Sequence, residues 1–159
     1  MAPSSIAAHS AAPLIVQAKR QLTAPCGLDC FNCDMHEHNI TPALRSAFAQ
    51  RLGRSPEEIA CPGCRASGGC RLAWSSCPTL ACANERGVEF CHECESFPCA
   101  KLAPTADGAD RYPHNYKVFN LAKIAAKGFE AWATDDADET RRMYFRGKLV
   151  VGQGPLVPE

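Results

Sequence analysis

Eleven cysteines crowd between residues 26 and 99 of this 159-residue chain, and their spacing constrains its fold more than any other feature. They read Cys26-x3-Cys30-x2-Cys33, then Cys61-x2-Cys64 with Cys70, then Cys77-x4-Cys82, and finally Cys91-x2-Cys94 with Cys99. Two thiols separated by two residues converge on one ion from a tight turn. Two such pairs close a tetrahedral zinc–sulfur site with bonds of about 2.3 Å. Cys61/Cys64 and Cys91/Cys94, thirty residues apart, give the clearest local signal and are the expected partners in one closed site.

Disulfides are the competing use of so many cysteines, and the sequence argues against them. The count is odd, whereas a secreted disulfide framework has an even number. The N-terminal stretch does not read as an export signal: its apolar run, residues 11–16, is broken by Pro13, and Lys19 and Arg20 follow it instead of preceding it. No run approaches the roughly 18 apolar residues of a membrane helix. Reduced thiols in the cytoplasm, away from membranes, are the expectation. Eleven cysteines with His92 would make twelve ligands, enough for three four-coordinate ions, and two ions with three spare thiols fit equally well. The candidate ligands are thus Cys26, Cys30, Cys33, Cys61, Cys64, Cys70, Cys77, Cys82, Cys91, Cys94 and Cys99, and the expected cofactor is zinc, two or three ions.

The rest of the composition supports a stapled fold. Hydrophobic residues make up 46%, but 25 of them are alanine and 11 cysteine, which leaves 37 larger apolar side chains. That is thin for a core at this length, so metal must supply part of the cohesion. Seventeen basic residues balance seventeen acidic ones, so no global field draws in nucleic acid. A membrane protein, a disordered chain and a large enzyme with a deep pocket are excluded.

Three regions follow. Residues 1–24, rich in Ala, Ser and Pro, read as a flexible arm in which Leu14–Val16 suits a short strand. Residues 25–103 form the cysteine-rich core. Within it Thr41-Pro42 starts a helix whose Leu44, Phe48 and Leu52 recur at one-turn spacing before Gly53. Ser55-Pro56-Glu57-Glu58 carries a capping box, and Pro78 to Arg86 suits a further helix before Gly87. Residues 104–159 contain no cysteine. There Pro113 to Lys127 forms the best helix, with Val118, Leu121, Ala122 and Ala125 on one face and Gly128 at its end. Phe129 and Trp132 should anchor this segment on the core, Lys148–Val151 suits a strand, and 152–159 a tail. The expected fold class is a small α+β or irregular domain, with short helices around cysteine knuckles and a cysteine-free C-terminal helical segment.

The string Cys26-Gly27-Leu28-Asp29-Cys30-x2-Cys33, followed by Cys61-x-Gly63-Cys64 and Cys77-x4-Cys82, is distinctive. So is Glu85-x-Gly87-Val88-Glu89-Phe90-Cys91-x2-Cys94-Glu95-x-Phe97-Pro98-Cys99. Together they resemble the cysteine-rich prokaryotic family catalogued as domain of unknown function 3795, from about Cys26 to Leu102, and Gly128-x-Glu130-x-Trp132 resembles its C-terminal helix. The resemblance implies zinc binding without an established activity. It makes every cysteine except Cys70 a family position, while His36-Glu37-His38 departs from the Pro-Ala-Tyr-like stretch usual there.

Other uses of these residues compete. C-x3-C-x2-C also offers three thiolates to a [4Fe–4S] cluster, so an iron–sulfur or thiol redox protein is the alternative. A radical S-adenosylmethionine enzyme would need a βα barrel that the sequence lacks. Asp29 is placed to cap a helix from Cys30, which would lower the thiol pKa of Cys30 and Cys33 and put His36 on their face. The preferred reading of His36 is nevertheless a solvated histidine beside Glu37 and His38, and His92 should point away from any ion. Residues 141–148 interleave four basic and two aromatic side chains, a pattern that can hold single strands. The acidic Asp135, Asp136, Asp138 and Glu139 upstream offset that charge and favour an amphipathic helix with its arginines in water. No phosphate loop, nucleophile elbow or His-Glu-x-x-His helix supports an enzyme, although Glu37, Glu93 and Glu95 lie near thiols. The expected role is an accessory or interaction module for a protein partner.

Overall fold

A computed structural model describes residues 11–72 and 76–158, with side chains from residue 15 onward. Residues 1–10 of the expected arm lie outside that range. The remainder is no strand: Ala11–Gln21 forms helix α1, and Val16 packs on the main core. Its last turn is tied to distant segments. Lys19 Nζ donates to Ala133 O (3.0 Å), and Arg20 pairs with Glu89 (2.5 Å) and lies over the Phe129 ring (4.6 Å). These partners are 114 and 69 residues away for the two polar contacts, which is why an Ala- and Pro-rich stretch read by itself looks loose.

The local helix signals act as their chemistry requires. Helix α2 (Pro42–Leu52) starts where Thr41 Oγ1 accepts the Leu44 N–H (3.2 Å), and it ends at Gly53 in the left-handed conformation (φ +62°). Leu44 and Phe48 pack on Ile40, Ala49 and Ile59, a small satellite core, while Leu52 stays exposed. Ser55 and Glu58 form the reciprocal cap of a 3-10 turn, Pro56–Glu58. Helices α3 (Cys64–Ser67) and α4 (Pro78–Glu85) and 3-10 turns at Cys30–Asn32, Cys91–Glu93 and Ala100–Leu102 carry the cysteine segments.

Helix α5 (Lys117–Lys127) begins four residues later than the Pro113 start expected from sequence. The preceding loop has better uses for its polar groups: Asn115 accepts from Thr105 N (3.0 Å) and donates to Thr105 O (2.8 Å), and His114 Nε2 lies 2.8 Å from Ala103 O. The buried face is also rotated. Asn120, Leu121 and Ile124 are inside, whereas Ala122 and Ala125 are exposed. After Gly128, α6 (Phe129–Ala131), a π turn (Trp132–Asp136) and α7 (Ala137–Arg146) run on continuously. Strand β1 (Lys148–Val150) pairs antiparallel with β2 (Gly154–Leu156), so part of the expected tail is a second strand. About half of the chain is helical, and the two strands make this a small α+β domain. Among the described residues no helix is long and apolar enough to cross a membrane.

Trp132, completely buried, is the centre of the main core, as its sequence position suggested. Phe129 stacks on Phe90 (5.6 Å), and Phe31 meets the Trp132 ring edge-on (6.0 Å). Phe31 and Phe90 come from the cysteine segments, Phe129 and Trp132 from the cysteine-free one. One apolar cluster thus joins both regions, and truncating Trp132 to alanine would cost about 3–5 kcal/mol.

Candidate metal centre

All eleven cysteines are thiols, and none is disulfide-bonded. Their contacts sort most of them into two groups. In the first, the Cys30 thiol hydrogen-bonds with Cys64, Cys61 hydrogen-bonds with Cys70, and Cys33 feels the charges of Cys30 and Cys61. In the second, Cys82, Cys91, Cys94 and Cys99 line one cleft of about 100 Å³, together with Arg86 and Ser96. The expected partnership of Cys61/Cys64 with Cys91/Cys94 is therefore corrected: each pair sits with cysteines from a different chain segment. A C-x2-C knuckle presents two sulfurs in the same way wherever it occurs, so its partner is chosen by tertiary packing. Cys26 is buried between the groups, interacting electrostatically with Cys30, Cys77 and Cys91. Among the described residues no three Cys, His, Asp or Glu side chains converge tightly enough, as placed, to form a complete ligand set.

Backbone bonding builds the first group. Cys33 N donates to Cys30 O, and His36 N to Cys33 O (2.9 Å), so the chain folds back in successive tight turns. Met35–Glu37 then runs alongside Cys61, with Cys61 N donating to Met35 O (3.1 Å) and Glu37 N to Cys61 O (3.0 Å). His36 is 2% exposed, which corrects the expectation of a solvated side chain. Its Nε2 has no hydrogen-bond partner and faces Gly63, 3.9 Å from where a Cβ on that residue would lie. His92 stacks on Phe90 (5.9 Å), and its Nδ1 is likewise buried without a partner.

Asp29 does not cap a helix by its side chain, as the sequence had suggested. It is 1% exposed and accepts from Tyr116 Oη (2.7 Å) and Asn32 Nδ2 (3.1 Å), with Arg141 3.5 Å away. Burial raises its pKa, and these three partners oppose the rise. Arg141 is thus an interior residue. It reaches Tyr116 Oη (3.3 Å), while Tyr144 donates to Ala109 O and Tyr112 O. The basic stretch 141–148 accordingly anchors α7 at this position, whereas Arg142 pairs with Asp138 and Phe145 is exposed. Nothing in the sequence marks Tyr116 or Asn120 as members of this network.

The expected lowering of the Cys30 and Cys33 pKa values is overturned. The bond with Cys64 followed by burial raises Cys30, and burial raises Cys33 and Cys26. Cys61 moves the other way, down to about 5, chiefly because Cys70 bonds to it. In the second group burial pushes Cys91 up to about 12, while the Ser96 backbone N–H holds Cys94 below the usual thiol range. Arg86 also donates to Cys94 Sγ (3.4 Å).

A profile of the family described as "Protein of unknown function (DUF3795)" matches residues 22–104, just over half of the chain. The chain belongs to this family. No curated protein and no solved structure matches it. The DUF3795 match takes in all eleven cysteines and stops short of Gly128–Trp132, the segment that sequence analysis had likened to the family's C-terminal helix.

Proposed function

We propose that this DUF3795 protein is a metal-binding accessory module. Two thiolate-rich zinc sites hold its cysteine segments in shape for a protein partner. The observation that carries this reading is the sorting of eight thiols, none disulfide-bonded, into two groups of four drawn from separate segments. Cys30, Cys33, Cys61 and Cys64 would hold one ion, with Cys70 bonded to Cys61 beside it. Cys82, Cys91, Cys94 and Cys99 would hold the other. The donor chemistry fits: soft thiolates in tetrads suit zinc, and such closed sites supply folding energy where the apolar core is small. Zinc bound there would neutralise thiolates and crosslink the chain. The chain's own contribution is to lodge those thiols against Phe31 and Phe90, and to place Arg86 beside the second tetrad. Reduced thiols agree with a cytoplasmic setting.

Elemental analysis of anaerobically purified, tag-free protein, with its visible spectrum, tests this. Two zinc ions per chain in a colourless protein are expected. Iron with acid-labile sulfide and absorbance near 400 nm would replace the reading by an iron–sulfur protein.

A further inference from the structure

We infer that His36 is the N–H donor to the thiolates of the Cys61–Cys64 turn, set to neutralise a sulfur there without itself becoming a ligand. The inference deepens the metal-binding reading of the first cysteine group and rests on it for the sulfur's charge.

Three observations converge. The ring is 2% exposed, so no water satisfies it, and a buried polar group without a partner is costly. Its Nδ1 accepts the His38 backbone N–H at 3.3 Å. A nitrogen that accepts carries no proton, so in the neutral imidazole the proton is on Nε2. That Nε2 is the orphaned atom, and it faces Gly63, between Cys61 and Cys64. The backbone gives it no alternative position, because the chain on both sides of His36 is pinned to Cys61 by the bonds Cys61 N to Met35 O and Glu37 N to Cys61 O. A buried N–H aimed at a pair of cysteines has sulfur as its natural acceptor. Hydrogen bonds to an ionised acceptor are about twice as strong as neutral ones, so the bond forms best with a metal-held thiolate. Direct ligation through Nε2 would require the opposite tautomer, with Nδ1 protonated and facing a second donor, the His38 N–H. The tautomer thus decides between ligand and donor.

The test uses the full chain, zinc-loaded, with metal content measured on the same sample. Long-range proton–nitrogen NMR reads the tautomer, with His36→Gln assigning the resonances. X-ray absorption separates nitrogen at about 2.0–2.1 Å from sulfur at about 2.3 Å. Thiol alkylation is compared in wild type, His36→Gln, which keeps an N–H near the same place, and His36→Phe, which has none. The expected result is a proton on Nε2, no nitrogen scatterer that His36→Gln removes, and alkylation about tenfold faster in His36→Phe but near wild type in His36→Gln. A proton on Nδ1, or a nitrogen scatterer lost in both variants, would make His36 a ligand and overturn the inference while leaving the metal reading intact. Equal acceleration in both variants would reduce His36 to a packing role and overturn it too. Protein that takes up no metal sinks the metal reading instead, and the tautomer then still decides whether Nε2 carries the proton.

Discussion

Replacing Gly27 by alanine should be one of the most damaging single-methyl changes in the chain, and Gly53 supplies its internal control. Both residues have positive φ, +87° and +62°, so alanine at either incurs backbone strain. That common cost is about 1–2 kcal/mol. Their surroundings differ. A Cβ on Gly53 meets nothing within 4 Å, whereas one on Gly27 would lie 2.8 Å from Lys117 O and 2.9 Å from Leu121 Cγ. The carbonyl is backbone in the first turn of α5, and Leu121 is fully buried, so neither yields cheaply. Forcing a methyl into such packing adds about 1–3 kcal/mol. Moving α5 away would also stretch the bond from Asn120 Nδ2 to Gly27 O (2.8 Å), which orphans a buried acceptor. Gly27→Ala should therefore lose about 2–5 kcal/mol and Gly53→Ala about 1–2 kcal/mol. Urea unfolding of both variants at equal metal content, followed by tryptophan fluorescence and far-UV circular dichroism, measures the difference. Equal losses would refute the close packing of the Cys26–Cys30 loop against α5, and with it the account of why glycine stands there.

Further expectations can be checked with the same preparations. Tyr116→Phe removes the 2.7 Å donor to Asp29 and should cost about 1–3 kcal/mol; a loss in urea unfolding below 0.5 kcal/mol, about the scale of a surface change, would deny Asp29 its buried charge. Asp136 is held by Lys123 (2.5 Å) and Lys127 (2.6 Å), which lower its pKa below 3.8. A lowered carboxylate stabilises above its unfolded value and loses that contribution as pH falls through the folded one. The stability gap between wild type and Asp136→Asn should therefore be present near neutrality and close below pH 3.8, and a gap unchanged at about pH 2 would contradict it. If the thiol groups hold zinc, a strong chelator should unfold the cysteine segments and dim the Trp132 environment together; retention of native circular dichroism after complete metal removal would show that the apolar core suffices.

What the sequence revealed follows from how local each signal is. Thr41, Ser55 and Gly53 act within a few residues of themselves, and their turns appear where their chemistry puts them. Phe129 and Trp132 were legible because large aromatic side chains in a cysteine-free, partly polar segment have few places to go but inward. Asn120, Asp29 and Arg141 were not. Asn120 is buried because Gly27 O, 93 residues away, needs a donor, and Asp29 because Tyr116 lies 87 residues on. A polar residue whose burial depends on so remote a partner looks like surface in the sequence. His36 was misread for the same reason, and the grouping of thiols was hidden because every knuckle looks alike.

The Asp29–Tyr116–Arg141 contact also has a consequence in time. A ribosome adding about 5–20 residues per second makes Cys33 roughly 5–20 s before Arg141. Throughout that interval the first thiols have emerged while the helices that will cover Asp29 do not yet exist. Whatever the nascent cysteines meet, whether ion, oxidant or neighbouring chain, they meet without their lid. The cysteine-free segment is then the closing step of biogenesis, sealing in the choice already made.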